Sequence, residues 1–387
     1  MRVRKREEAA HSDIAADNGY EIKLVVGRCA GPCICRSTTV QLCSAADVPV
    51  WARRPHIIQG YRPNLSLRQC VASLLRCHNE TGNIWTHLGG ALVVACLGLS
   101  DLLGDEPSSP RPFAAKLLAN EALVRRIFLF AAVACLGASA VYHAGNCTHS
   151  EACCAALLRA DSSGIAILIA ASFLPGVYFG FACYPALRAT YLAVVAMLLL
   201  LGLAVSFADC FEDTLPTDSA PGCESSVESI DVEAPRPSLT QPPLPPKALL
   251  TSRIRRAVIQ QMRVVTFACF VAIGVAVALH WCFLVSAQAR SRYLSRVGSM
   301  LGSYALGFVF YASQYPERRW PGRFDFWLHS HQLWHVCVVV AVIIWWNTCN
   351  SLVEELGQSG CGGFVRHSTQ GNTSENWVGL RASSVRI

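Results

Sequence analysis

Residues 326–346 read FWLHSHQLWHVCVVVAVIIWW, and this stretch decides the fold class. It is apolar over most of its length and long enough to cross a bilayer as one α-helix, which needs roughly 20 residues. His331 and His335, near its start, are four residues apart and therefore share one face of that helix. Two imidazoles on one face can hold a metal ion from one side. Since polar groups are costly inside a membrane, the pair indicates a functional site.

The rest of the chain has the composition of a multi-pass membrane protein. Of its 387 residues, 52% are hydrophobic and 15% are charged, and the mean hydropathy is +0.35. This is too apolar for a soluble chain to bury around one core. We expect an integral protein of the plasma membrane or an endomembrane, without a nucleic-acid partner. The pattern predicts an all-α membrane fold with seven transmembrane helices, at residues 84–103, 127–145, 162–183, 189–208, 264–287, 297–314 and 327–348.

Basic residues predict how these helices are oriented. Lys and Arg are more frequent in the segments that are cytoplasmic when the N-terminus is inside, and loops rich in Lys and Arg stay in the cytoplasm. The strongest evidence is a group just before the fifth span: Arg253, Arg255, Arg256 and Arg263. The sequence therefore predicts a cytoplasmic N-terminus and an extracellular or lumenal C-terminus. A glycosylation sequon at Asn372 would be outside in this arrangement, whereas those at Asn79 and Asn146 would be cytosolic.

Three segments flank or interrupt the predicted seven-helix domain, residues 56–350. Residues 1–55 mix charges, small residues and cysteines, and we expect a disordered cytoplasmic arm. Residues 209–262 form a long, largely disordered cytoplasmic loop that is first acidic and then proline-rich. Residues 351–387 are expected to be a flexible outer tail. The arm and the loop are the places where a cytoplasmic partner would bind, and an unidentified ligand would bind outside.

The nineteen cysteines give no clear pattern. Cys29, Cys33, Cys35 and Cys43 form a cluster that can hold zinc or be acylated, but it lacks the paired C-x2-C spacing of a convincing zinc site. Scattered reduced thiols are the preferred interpretation. We assign none of the cysteines to a disulfide.

Polar residues on three predicted helices reach the same depth near the inner leaflet. They are His143 at the end of the second span, Asp161 at the start of the third, and the His331 and His335 pair on the seventh. Three nitrogen ligands leave a fourth position for water, as in catalytic zinc sites. Ser139 lies on the helical face of His143, one turn deeper. Taken singly, His143 is as compatible with an interfacial histidine, and Asp161 with a helix cap.

Four motifs in register resemble the progestin and adipoQ receptor family, which includes adiponectin receptors and haemolysin III proteins. The resemblance covers residues 55–350. The motifs are HNETGNIWTH at 78–87, Ser139 with His143, DSSGI at 161–165, and PERRWPGRFD at 316–325 running into SHQLWH at 330–335. The segment at 78–87 is interpreted chiefly as a structural cap of the first span.

The resemblance implies a seven-helix fold with a zinc ion near the cytoplasmic leaflet. Its ligands would be His143, His331 and His335, with Asp161 holding or activating a water and Ser139 beside it. It also implies a ceramidase-like activity on the amide of a sphingolipid. Three classes of function stay open: a receptor or lipid-signalling protein with a zinc amidohydrolase centre, a receptor whose zinc is only structural, and a haemolysin-like pore or transporter.

Overall fold

The computed structural model describes residues 41–49, 52–104, 120–148, 150–207, 246–362 and residue 365, which all belong to one compact unit. In these ranges the regular structure is helical, with three isolated β-bridges and no longer strand. A 3₁₀ turn at Ala45–Asp47 precedes eight α-helices: α1 (Leu67–Ser73), α2 (Thr81–Leu103), α3 (Glu121–Gly145), α4 (Glu151–Gly180), α5 (Pro185–Phe207), α6 (Pro246–Leu284), α7 (Ala287–Ser313) and α8 (Ser330–Ser359). The predicted all-α architecture is confirmed for this part of the chain.

Six of the described helices are long and apolar enough to cross a membrane: α2, α3, α4, α5, the part of α6 from Val265 to Leu284, and α8. The predicted sixth span, residues 297–314, falls in the second half of α7. That helix is less apolar, because Arg290, Arg292 and Arg296 lie in its first ten residues and Gly, Ser and Tyr dilute the remainder. A seventh span and the orientation of the termini therefore stay predictions.

Several helices continue beyond the spans predicted from hydropathy. Helix α4 begins at Glu151, eleven residues before its predicted span. Helix α8 was expected to end near residue 348 but runs to Ser359, into the predicted tail, because Leu352, Val353 and Leu356 extend its buried face. Helix α6 begins at Pro246, inside the predicted loop 209–262, of which residues 209–245 lie outside the described ranges. Hydropathy along the sequence detects only the part of a helix that is apolar on all sides. It therefore misses helix ends that are apolar on one face only.

The last part of the predicted N-terminal arm is packed against the bundle. Residues 41–49 and 52–55 are described, and Val48 is buried in a small apolar cluster with Ile57 and Tyr61. The backbones of Cys43 and Tyr61 exchange two hydrogen bonds, with N–O distances of 2.8 and 3.0 Å. The first forty residues, including Cys29, Cys33 and Cys35, lie outside the described ranges.

Helices α2, α3 and α8 pack around a common apolar core, with Val94, Phe128, Leu136 and Val342 fully buried. The approach of α2 to α8 depends on glycine. A Cβ on Gly90 would lie 2.6 Å from the Val339 side chain, which is too close for a real contact. This core brings the end of α3, the start of α2 and the start of α8 to one end of the bundle.

The opposite end of the bundle carries a disulfide between Cys183 and Cys361, whose Cα atoms are 5.7 Å apart. Cys183 lies in the turn between α4 and α5, and Cys361 follows α8. The prediction that no cysteine forms a disulfide is therefore wrong. The two residues are 178 positions apart, so their pairing depends on which helix ends meet in the fold. Thirty residues of α8 separate this end from His331, a distance of about 45 Å.

Candidate metal centre

Three histidines converge where the end of α3 meets the start of α8. The ring centroid of His143 lies 5.1 Å from that of His331 and 4.9 Å from that of His335, and the last two are 4.7 Å apart. One ligand nitrogen from each ring lies within 4.8 Å of the others. His143 and His335 are buried and His331 is half-buried. The structure thus brings together the three residues that the sequence proposed as ligands, and the cluster can hold a metal ion.

The ring of His143 is oriented by Glu80, the residue before α2. Glu80 Oε2 lies 2.8 Å from His143 Nδ1, and Arg54 Nη2 lies 3.2 Å from the same nitrogen. We place the proton on Nδ1, because the carboxylate is the closer partner and accepts it. His143 Nε2 is buried without a hydrogen-bond partner among the described residues. A buried, unprotonated nitrogen with no partner is what a metal ligand requires.

His335 has a similar arrangement, again provided by α2. Its Nδ1 lies 3.2 Å from the carbonyl oxygen of Asn83 and 3.3 Å from the hydroxyl of Thr86. That hydroxyl donates to the Gly82 carbonyl, so both neighbours can accept the Nδ1 proton of His335. Its Nε2 is then the nitrogen available to a metal. Holding a histidine ligand through its second nitrogen is the usual way in which proteins fix its tautomer.

The start of α8 is held by a second set of contacts. The Glu317 carboxylate accepts hydrogen bonds from the backbone N–H and the hydroxyl of Ser330. Leu328 has a φ of 63°, an unfavourable conformation for leucine, and its N–H donates to Gln332 Oε1 at 2.6 Å. The Gln332 side chain in turn lies where a Cβ on Gly82 would be, 2.3 Å away. These contacts fix the turn that presents His331.

Asp161 and Ser139 are the other two residues that the sequence proposed for the site. Ser139 is buried on α3, one turn before His143 as its spacing predicts. Asp161 is half-buried in the third turn of α4, not at the start of that helix, whose N-cap is Ser150. Ser139 and His143 are both near enough to Asp161 to influence its carboxylate, and the roles of Asp161 and Ser139 stay predictions. A carboxylate in this position can take a proton from a water molecule in the site.

Glu80 and Arg54 were missed as site residues. Burial alone would raise the pKa of Glu80, but the charge of Arg54 and the hydrogen bonds from His143 and Arg54 outweigh it and hold the pKa well below its usual range. Glu80 is therefore a buried carboxylate that stays ionised. The motif at 78–87 was the available signal. It was interpreted chiefly as a cap of the first span, but the Glu80 side chain makes no cap hydrogen bond to α2 and contacts His143 instead. His78 N donates to Thr81 Oγ1 and Glu80 N donates to His78 Nδ1.

The other histidines differ in their surroundings. His329 is buried, with Nε2 3.3 Å from the carbonyl oxygen of Asn79. His280 hydrogen-bonds with the Tyr191 hydroxyl at 2.5 Å. His87 was not considered as a site residue, yet its ring stacks on His335.

The sequence matches a known family over most of the helical domain. The model of the family described as haemolysin-III related matches residues 75–346, a range that includes Glu80 and all three clustered histidines. The chain belongs to the haemolysin-III related family. It is a multi-pass integral membrane protein of the group that contains the adiponectin receptor and the progestin and adipoQ receptors.

Relatives within this family come from animals and plants. The adiponectin receptor protein of Drosophila melanogaster is 30% identical over 311 residues, 79% of this chain and 58% of that protein. Progestin and adipoQ receptor family member 3 of Mus musculus is 30% identical over 333 residues, 85% of this chain and 91% of its own length. Heptahelical transmembrane protein 5 of Arabidopsis thaliana is 26% identical over 377 residues, 78% of this chain and 88% of the plant protein. This chain thus spans little more than half of the fly protein.

Proposed function

We propose that this protein is an adiponectin-receptor-like membrane protein of lipid signalling that binds zinc at His143, His331 and His335 and hydrolyses the amide of ceramide-like lipids. The observation that carries the proposal is the buried cluster of three imidazoles with a carboxylate beside it. Zinc is the preferred occupant, because sets of imidazole ligands suit it and a three-histidine site leaves a position open to water.

The residues fit the chemistry of amide hydrolysis. Zinc, when bound, supplies a Lewis acid that polarises a carbonyl group and makes water nucleophilic near neutral pH. The Asp161 carboxylate accepts a proton from the attacking water and returns it to the departing amine, giving a fatty acid and a sphingoid base. Ser139 is near enough to that carboxylate to help orient it. Glu80 keeps His143 turned toward the cluster.

The distribution of cysteines supports the proposed orientation. A disulfide persists in the oxidising extracellular or lumenal space and is rare in the reducing cytosol. Cys183 and Cys361 form one at the end of the bundle far from the histidines. At the histidine end, Cys70 and Cys147 are in contact as thiols, with their sulfurs 3.5 Å apart. Both facts favour a cytosolic metal centre, a cytoplasmic N-terminus and an outer C-terminus. A ligand would then bind outside, and a cytoplasmic partner would use residues 1–55 or 209–262.

The alternative of a structural zinc also has an observation in its favour. The three histidines come from two helices, α3 and α8, so a metal ion would join them whether or not it is catalytic. Metal binding and hydrolysis must therefore be measured separately.

The first experiment compares wild-type protein, purified in detergent without chelators, with the double variant His331→Ala, His335→Ala. The matched control is His280→Gln, which changes a histidine outside the cluster. We expect about one zinc ion per chain in the wild type and the control, none in the double variant, and ceramide hydrolysis only where zinc is present. Zinc without hydrolysis would support the structural alternative. Solute flux through proteoliposomes would support the pore, and a metal-free wild type would overturn the proposal.

A further inference from the structure

The segment just before α1, residues 52–62, crosses the metal-centre end of the bundle, and we call it the strap. It is hydrogen-bonded on both sides of the site. The Gln59 N–H donates to Asp325 Oδ2 at 2.7 Å, in the loop that leads to α8. The Gly60 carbonyl accepts from the Asn79 N–H at 2.9 Å, at the start of α2. The strap thus joins the segments that lead into the two helices around the cluster.

One arginine of the strap fixes the backbone at the end of α3. Arg62 is buried, and its guanidinium donates to the carbonyl oxygen of His143 at 2.7 Å and to that of Ala144 at 2.9 Å. It also donates to Asn146 Oδ1 and Ser73 Oγ. The last carbonyls of a helix have no partner within it, and a positive charge there is favourable. The strap therefore determines where the backbone of His143 lies.

A second arginine of the strap acts on the side chain of His143 through Glu80. Arg54 Nε contacts Glu80 Oε1 at 2.5 Å, and Glu80 Oε2 contacts His143 Nδ1 at 2.8 Å. Asn83 Nδ2 donates to the same Oε2 at 2.6 Å. The Glu80 side chain is only 4% exposed, whereas that of Arg54 is 20% exposed. These contacts link the strap to the ring of His143 through a buried carboxylate, and Arg54 Nη2 also lies 3.2 Å from His143 Nδ1.

We infer that Glu80 is a positioning residue for His143 and that Arg54, carried by the strap, holds it in that role. This rests on the metal-binding part of the proposed function. The carboxylate keeps the proton on Nδ1, so that Nε2 faces the cluster. Arg54 neutralises a buried charge that would otherwise be costly and prevents the carboxylate from turning away. The affinity of the site for metal then depends on the strap being docked.

The strap offers its own control, because Arg53 is next to Arg54 and does not reach the site. Its Nε donates to the Val48 carbonyl at 3.0 Å and its Nη2 to that of Ala46 at 3.3 Å. Arg53→Gln and Arg54→Gln remove the same charge from the same segment. Glu80→Gln keeps the shape of the side chain and removes its charge.

The test measures the zinc Kd of the full chain by competition with a chelator, the visible absorption spectrum of the Co²⁺-loaded protein, and the Tm of the metal-free protein. Losing an outer partner of a histidine ligand costs roughly 10- to 100-fold in metal affinity. We expect this loss in Arg54→Gln and Glu80→Gln, together with an altered Co²⁺ spectrum, while Arg53→Gln keeps the wild-type values. Equal zinc affinity in all variants would overturn the inference.

A purely structural role for Arg54 would lower the Tm of the metal-free protein as well. In that case the variant Arg54→Lys distinguishes a positioning role from a structural one, because lysine keeps the charge but lacks the planar fork of donors. A recovered Tm with persistently weak zinc binding supports positioning, and simultaneous recovery of both overturns it. Zinc binding is measured without ceramide, so an inactive wild type that binds zinc would defeat the proposed hydrolase but not this inference.

Discussion

The rings of His87 and His335 are stacked, with their centroids 3.5 Å apart and their planes inclined by only 10°. A histidine binds a metal ion in the plane of its own ring. Two parallel stacked rings do not direct their nitrogens at one point, so His87 and His335 would not hold one ion together. His87 is buried, and neither ring nitrogen has a hydrogen-bond partner in the described part of the chain. The stack identifies His87 as a packing partner of His335, a proposed ligand.

We expect His87→Phe to keep one zinc ion per chain and a Tm equal to or above that of the wild type. Phenylalanine preserves the stacked face and removes two unsatisfied polar atoms from a buried position. His87→Ala should lower the Tm, because it leaves a cavity against His335. Elemental analysis and thermal unfolding of the purified variants check this. Loss of zinc in His87→Phe would mean that His87 is a ligand.

Asp161→Asn should abolish most ceramide hydrolysis while leaving zinc bound. An amide cannot accept the proton of the attacking water, and general acid–base catalysis contributes roughly 10²- to 10⁴-fold. Ser139→Ala should have a smaller effect on kcat, since Ser139 is proposed to act only by orienting the carboxylate of Asp161. Single-turnover hydrolysis on samples of known zinc content makes the comparison. Full activity in Asp161→Asn would remove Asp161 from the proposed mechanism.

Gly82→Ala should weaken zinc binding and lower the Tm, although Gly82 touches no proposed ligand. A Cβ at Gly82 would overlap Gln332, whose side chain holds Leu328 N and Phe326 O. Displacing it disturbs the turn that presents His331. Gly89→Ala is the matched control, because a Cβ there meets nothing within 4 Å. Equal zinc affinity in the two variants would show that the turn does not depend on Gln332.

Replacing Cys183 and Cys361 by serine should destabilise the protein by roughly 2–4 kcal/mol. Each single variant should do so about as much as the double variant, since either one breaks the bond. Cys96→Ser, which changes an exposed free cysteine, serves as the control. Thermal unfolding gives the stability, and mass spectrometry after alkylation without reductant shows whether the bond forms. Alkylation of both cysteines in the unreduced wild type would rule the disulfide out.

Glycosylation tests the orientation independently. Asn372, which lies outside the described residues, should carry a glycan when the protein is made in cells that glycosylate, because the C-terminus is proposed to be outside. Asn146 should carry no glycan, since it is placed at the cytosolic end. Asn79 should carry none either, because it is buried. The shift in mass after glycosidase treatment of Asn372→Gln and Asn146→Gln identifies the modified site. A glycan on Asn146 would reverse the orientation.

Local patterns in the sequence determined the helices and part of the site. Runs of apolar residues predicted the membrane helices, and spacing along a helix placed His331 with His335, and Ser139 with His143. These relationships follow from the geometry of one helix and need no knowledge of the fold. Convergence of His143 with the pair required only that the ends of antiparallel helices meet at one depth.

The tertiary structure decided what lies around those residues. Arg54 contacts Glu80 across 26 positions and Glu80 contacts His143 across 63, while Cys183 and Cys361 are 178 apart. No period in the chain encodes such contacts, because they depend on which helices pack together and at what height. Arg54 carried a charge in a segment without periodicity, which indicates a disordered arm when it is considered alone. Only the fold brings Arg54 to its partners, the buried Glu80 carboxylate just before α2 and the His143 ring on α3.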